Sequence, residues 1–347
     1  MHVIRLKGSL AGTVSIIGLV LLFLFPKQAK TGAAAGLSLA AQVLIPSLFT
    51  FMVLSLFLSK SGALSLFEAP LGSITRRLFR CNHAVAVLLG FVGGFPLGGQ
   101  LIGDAYRRGA LTADEANARL SCGINAGPAF VITAVGTGML GSRAAGVVLF
   151  VSVTAASIVN GVLFSRILIK AVPQHRAEQP GGIGVTRGFV ASVSDSANAM
   201  LRIAGYTVFF STLIYIIKGI GLNANIFRVV GAVLEVTTGV ALLKEAPLSL
   251  IAAVIAFGGV SVHTQVLSAL RDVPVHMGLF YLSRLTHALL SAAITRLLLW
   301  IVPISVPAVV RVGTLGSVSA FSLPLTLAMM LMSVTLIIST QEEKIKK

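Results

Sequence analysis

Charge is scarce in this chain. Only 11% of its 347 residues are Asp, Glu, Lys or Arg, against 56% apolar, whereas a soluble domain carries about 25% charged residues. Too few charges remain to cover a water-facing surface, so a soluble globular protein is excluded and a chain that faces lipid is implied. Acidic residues are scarcer still, 11 against 27 basic, for a net charge of +16. The basic residues stand singly between apolar stretches and do not gather into a patch interleaved with aromatics, which argues against a nucleic-acid partner. They fit the short basic loops of a membrane protein. Cys81 and Cys122 are the only cysteines and lack C-x-x-C spacing, so neither a metal site nor a redox pair is expected. An H-E-x-x-H motif, a serine elbow and a long polar stretch able to form a soluble module are also missing. No catalytic residue, cofactor or metal is therefore expected, and the protein reads as no enzyme. The apolar run that ends at Phe25 has no A-x-A-like cleavage site after it, so residues 1–35 read as a retained span and not a signal peptide.

What remains is an all-α polytopic membrane protein whose partner is the lipid bilayer. A helix needs about 20 apolar residues to cross the hydrocarbon core, and stretches 10–25, 36–58, 144–169, 205–220, 277–301 and 323–339 are the candidates. Between them lie 84–99, 125–140, 226–243 and 248–267, apolar but interrupted by glycine, proline and polar side chains. Such segments suit broken or re-entrant helices packed inside protein, where freed backbone groups find partners without lipid contact. With 84–120 and 226–243 drawn as hairpins, most lysines and arginines (Arg76, Arg77, Arg80, Arg166 and Lys170 among them) fall on the cytoplasmic side, with a cytoplasmic N-terminus. Features recur in order: Leu44–Phe51 echoes Ile203–Phe210, a glycine-bearing segment follows each, then a second polar break, then a long span. The expected organisation is an N-terminal span at 1–35, a first repeat at 36–170 and a basic cytoplasmic linker at 171–200. A second repeat at 201–302 and a C-terminal span with a basic tail at 303–347 follow. In that topology the two repeats are inverted, an arrangement that places a transporter's site near the midplane between them.

Four constellations carry the candidate substrate-binding residues. In Gly90-Phe-Val-Gly-Gly-Phe-Pro-Leu-Gly-Gly-Gln100, Pro96 removes a backbone donor while Gly93, Gly94 and Gly98 permit a turn or close approach; the bland alternative is a small-residue packing seam. In Asn125-Ala-Gly-Pro128, Asn125, Gly127 and Pro128 could unwind a helix at depth or simply start one. Glu235-Val-Thr-Thr-Gly239 sets a carboxylate beside Thr237, Thr238 and Gly239 in an apolar segment, where an acid costs free energy unless it faces a cavity or a partner such as Arg202 or Arg228. Gly259, Ser261, His263 and Gln265 crowd one break; His263 and Glu235 are the candidates for proton coupling. Arg284 and His287, three apart, pair with Glu235 or snorkel to the interface. The charges between Gln100 and Leu120 read as a solvated helical hairpin, with Thr112 and Glu115 as a capping box.

Taken together, Pro46-Ser-Leu-Phe49, Gly93–Gly98, Asn125–Pro128, Glu235–Gly239 and Phe257–Gln265 resemble the sporulation integral membrane protein YlbJ family, within the wider nucleoside-recognition (Gate) domain proteins. The resemblance runs from roughly Gly36 to Leu299 in the same order. It departs at Thr238, where the family pattern has Asn, and near Gly123 and Ala126, where it has a second Asn. It implies a multi-pass protein of the bacterial inner membrane with two Gate-type repeats, akin to the Gate segments of FeoB ferrous-iron transporters and, more distantly, to concentrative nucleoside transporters. It also implies a link to spore cortex formation. The expected function is a transporter or gate for a small polar solute: nucleoside-like, an organic anion or an ion. The alternative is a non-transporting assembly factor for sporulation, with a homo-oligomer or sporulation membrane proteins as partners.

Overall fold

The computed structural model describes residues 2–63, 65–80, 90–170 and 184–302. The expected span at 323–339 and the first part of the linker lie outside them. Every regular element among the described residues is helical. Among the described residues, five helices are long and apolar enough to cross a membrane: Pro26–Lys60, Arg143–Leu168, Val185–Gly219, Leu248–Ala269 and Met277–Ile301. Helix α1 (His2–Leu24) precedes them and packs lightly, against α2.

The first of these spans is α2 (Pro26–Leu39), a π-wound turn at Ala40–Leu44, and α3 (Ile45–Lys60). Pro46 explains the turn. It has no N–H to donate back along the helix and its ring crowds the carbonyl four residues earlier. Widening the preceding turn to i+5 bonds, with Ile45 N–H bonded to Ala40 O, absorbs that clash without breaking the rod. Helix α9 (Val185–Gly219) lies antiparallel along it. Gly219 meets Gln28, Gly32 meets Tyr215 and Gly36 meets Val208, and at the far end Lys60 forms an ion pair with Asp195. The seam needs small residues: a Cβ on Gly36 would sit 2.7 Å from Val208 Cα. Because α9 begins at Val185, helix occupies much of the stretch expected as linker.

The remaining described elements follow one order twice. Residues 90–93 are helical, turn at Gly94, and return as α5 (Phe95–Arg107); a Cβ on Gly98 would lie 3.4 Å from Gly90 Cα, so the two arms form a hairpin with Gly94 at its tip. Next come α6 (Ala113–Gly123), a break at 124–128, and α7 (Ala129–Met139), which is π-wound. Helix α8 (Arg143–Leu168) closes the unit and runs back along both, its Gly146 against Gly136 of α7 and its Gly161 against Cys122 of α6. In the second unit α10 (Ala224–Leu234) turns at Glu235 into α11 (Val236–Leu242), with Gly239 packed back on Ala232. Helix α12 (Leu248–Phe257) breaks at Gly258 and continues as α13 (Gly259–Ala269), and α14 (Met277–Ile301) closes it. The buried core sits where α12 threads between α8 and α14; nine of its ten residues are buried, as an all-round apolar helix requires.

The charged segment between Gln100 and Leu120 departs from expectation. The Thr112–Glu115 capping box forms, and Arg107, Arg108 and Asp114 are exposed, but α6 is buried from Glu115 onward. Several of its polar groups find partners inside. Asn117 Nδ2 donates to Ala113 O (2.8 Å) and Pro274 O (3.0 Å), its Oδ1 accepts from His276 N–H (2.8 Å), and Arg119 donates to Glu115 O (2.8 Å). Periodicity sees the charges on α6; it does not see carbonyls brought up from another part of the chain.

Gly36→Leu should wedge α9 away from α2, because neither backbone can retreat without losing the seam. We expect about 1–3 kcal/mol of lost stability, read as a fall in the thermal unfolding midpoint of detergent-solubilised protein. Gly12→Leu on α1, where a Cβ meets nothing within 4 Å, should leave that midpoint in place.

Candidate functional site

The four breaks meet in two pairs. At the hairpin tip Gly94 takes φ +82°, ψ −174°, a region that L-residues other than glycine essentially avoid. A Cβ there would lie 3.3 Å from Gly127 N, so the tip rests backbone to backbone on the Asn125–Pro128 break. In the second unit Gly259 (φ +75°) approaches the Glu235 tip in the same manner, its would-be Cβ 3.2 Å from Val236 N and 3.3 Å from Glu235 N. The two junctions share a single cleft that opens to the surface.

Of the sequence-predicted residues, Gly93, Gly94, Gly127, Glu235, Thr237 and Gln265 line this cleft. Glu235 ends α10 and caps α11: its Oε1 accepts from Thr237 N–H (2.9 Å) and its Oε2 from Thr238 N–H (2.6 Å). It is 2% exposed. The charge is thus held by two amides and the start of a helix, not by Arg202 or Arg228, which satisfies a buried carboxylate at low dielectric. By contrast α5 begins at the cleft wall with no side-chain cap, so its leading amides add partial positive charge there, while α7 begins there with its Phe130 and Val131 amides bonded to Gly127 O. The cleft therefore holds a carboxylate on one wall and helix N-termini on another, inside an apolar lining.

The other predicted residues stand elsewhere. Pro96 sits in the first turn of α5, and Gly98 packs against Gly123 O, so the small-residue seam accounts for this part of the motif. Pro128 precedes α7 as its N-cap. Asn125 is fully buried; its Nδ2 donates to Thr154 Oγ1 (3.3 Å), and its Oδ1 has no hydrogen-bond partner. Thr238 shares a hydrogen bond with Ser211 of α9 (2.7 Å), and Gly239 packs on α10. Ser261 accepts from Gln265 Nε2 (3.2 Å) and so backs a cleft residue without lining the cleft. His263 turns into a cage of Phe257, Phe280 and Tyr281, and its Nε2 meets Phe257 O at 2.7 Å, the carbonyl that the Gly258 break releases.

Arg284 and His287 neither pair with Glu235 nor snorkel. Both are fully buried. Arg284 donates to Ile124 O (2.6 Å), Ser121 O (2.7 Å) and Leu120 O (3.1 Å), gathering the carbonyls that α6 loses at its break. Asn160 of α8 adds bonds to Ser121 O (2.9 Å) and Ser283 O (3.0 Å), and Ser157 one to Cys122 O (2.9 Å). His287 meets Val153 O at 2.9 Å. Sequence reasoning also missed the cleft's third wall, Leu44, Leu48, Phe51 and Met52 of the first span with Ile203 and Thr207 of α9. The echo between Leu44–Phe51 and Ile203–Phe210 was the available signal: the same two stretches that mark the repeat both face the cleft.

Arg284→Met should leave Ile124 O and Leu120 O at the α6 break without a side-chain donor, and Ser121 O with Asn160 alone. Losing hydrogen bonds to a charged group, with the acceptors still buried, is expected to cost about 3 kcal/mol or more, seen as a large drop in unfolding midpoint. Gly94→Ala should cost about 1–3 kcal/mol through its backbone conformation alone, measured the same way.

The chain is similar to the sporulation integral membrane protein YlbJ of Bacillus subtilis (strain 168), with 21% identity over 322 residues, covering 79% of this chain and 78% of that protein. No protein-family model matches the chain, and no solved structure does. The comparison and the apolar helices together make this a membrane protein distantly related to a sporulation integral membrane protein.

Proposed function

We propose that this protein is a membrane transporter or gate for a small polar solute, and that the cleft between the Gly94–Gly127 and Glu235–Gly259 junctions is where the solute binds. One observation carries the reading: segments far apart in sequence bring their helix breaks to a single cleft, where backbone amides and one carboxylate face it from apolar walls. A packing role alone would have no reason to set Glu235, Thr237 and Gln265 on a void. The repeated order of hairpin, broken helix and closing helix supports two inverted Gate-type repeats with re-entrant hairpins. The π-winding of α7 at the cleft wall adds support, since such winding concentrates at functional sites. Following the relative's name, the proposed setting is sporulation, in the bacterial inner membrane with the N-terminus cytoplasmic. The reading is non-enzymatic.

The alternative, a non-transporting assembly factor, draws on the observation that both Glu235 oxygens already serve a helix cap. A pair of variants separates the two. Serine is a favoured N-cap, and Glu235 has the extended backbone that a cap requires (φ −147°, ψ 123°), so Glu235→Ser should keep the fold to within about 1 kcal/mol while removing the carboxylate. Purified protein is screened by thermal shift against nucleosides, divalent metal ions and small organic acids, and any stabilising solute is carried into uptake assays in proteoliposomes. The transporter reading expects at least one solute to raise the midpoint and to enter vesicles. It also expects Glu235→Ser and Phe130→Trp, which fills the cleft, to reduce both effects at least tenfold. Solute responses unchanged in both folded variants would refute the cleft as the binding site.

A further inference from the structure

Away from the cleft, helix α4 (Ser65–Phe79) is tied at both ends to membrane spans. It begins five residues after Lys60, the end of the first span. Its far end is locked to α8 by two reciprocal bonds. Arg166 Nη2 of α8 donates to Arg77 O (3.2 Å), and Arg80 Nη1 donates to Ile169 O (2.7 Å), so each helix supplies a guanidinium to the other's last carbonyls. Arg80 adopts φ +49° to make its bond. At 15 residues α4 is about 22 Å long, too short to cross a hydrocarbon core of about 30 Å. It does not span the core by itself, and it joins the ends of two spans.

Its sides differ. Thr75 and Phe79 are buried against the protein, Phe79 beside Gly161 of α8. At 100° per residue, Ile74 and Leu78 fall on one flank, 54% and 38% exposed, and Arg76 on the other, with Arg77 pointing away from the bundle. Lys170 stands next to Ile169 and is exposed, as are Arg76 and Arg77, and no ion pair among the described residues involves these three. An exposed apolar flank beside cations at the end of a span is the pattern of a helix seated at the headgroup level.

We infer that α4, with Arg76, Arg77 and Lys170, forms a docking site for anionic phospholipid headgroups of the adjoining leaflet. Ile74 and Leu78 enter the acyl region while the cations bind phosphate. The site is independent of the cleft and stands whether or not the cleft carries a solute.

The test uses the full chain in neutral detergent, titrated with phosphatidylglycerol, phosphatidylcholine or glycerol phosphate, and reads unfolding midpoints and lipid retained in native mass spectra. Phosphatidylglycerol should stabilise and stay bound; phosphatidylcholine and glycerol phosphate should not. Arg76→Gln/Arg77→Gln should weaken phosphatidylglycerol binding roughly twenty-fold, Arg76→Lys/Arg77→Lys should retain it, and Lys27→Gln/Lys30→Gln on the first turns of α2 should leave it unchanged. Raising salt on the wild-type protein should weaken it in step, which keeps the question open to measurement if the double glutamine variant fails to fold. Equal binding of phosphatidylcholine, an equal shift with glycerol phosphate, or undiminished affinity in folded Arg76→Gln/Arg77→Gln overturns the inference.

Discussion

A helix that stops inside a membrane protein leaves carbonyls or amides that lipid cannot satisfy, and four such stops cluster among the described residues of this fold. Its architecture depends on how they are answered. The most demanding is the end of α6, where Arg284 reaches across from α14 to three carbonyls and Asn160 and Ser157 reach from α8. That single guanidinium binds the broken helix of the first unit to the closing helix of the second, so the two units are held together at the first unit's break. A fully buried arginine is costly to desolvate; here the carbonyls it serves would be equally costly without it.

The other stops are answered locally. Glu235 supplies acceptors to the start of α11, His263 meets the carbonyl freed at Gly258, and Gly94 and Gly259 let tips touch breaks at backbone distance. Helices α5 and α7 both begin at the cleft, without a side-chain cap.

Much of this was legible in the sequence. The membrane class followed from missing charge, and the breaks at Gly94, Asn125–Pro128, Glu235 and Gly258 were marked by residues that cannot sit quietly in a helix. Their convergence could be argued because lipid tolerates none of them. What stayed hidden was partnership over long separations. Arg284 and Glu235 looked like a natural ion pair, yet each found backbone groups instead, because helix termini offer several aligned dipoles where a single opposite charge offers one. Glu115 and Arg119 looked solvated because a charge pattern says nothing of what the rest of the chain places over it. The division of each motif was equally invisible: Gly93 and Gly98 are five residues apart, yet one opens on the cleft and the other is pressed against Gly123.

The antiparallel pair formed by the first span and α9 has a mechanical consequence. Each is a continuous rod of 35 residues, about 52 Å long, while the hydrocarbon core measures about 30 Å. Upright, the pair stands clear of the lipid; leaning, it brings more of its length within the core. Either way its two ends obey different rules. The glycine seam at Gly32 and Gly36 closes by dispersion, indifferent to ionic strength, whereas the Lys60–Asp195 latch, with Asp195 half exposed, weakens as salt rises. The pair is therefore a clamp with one permanent jaw and one that ions can loosen.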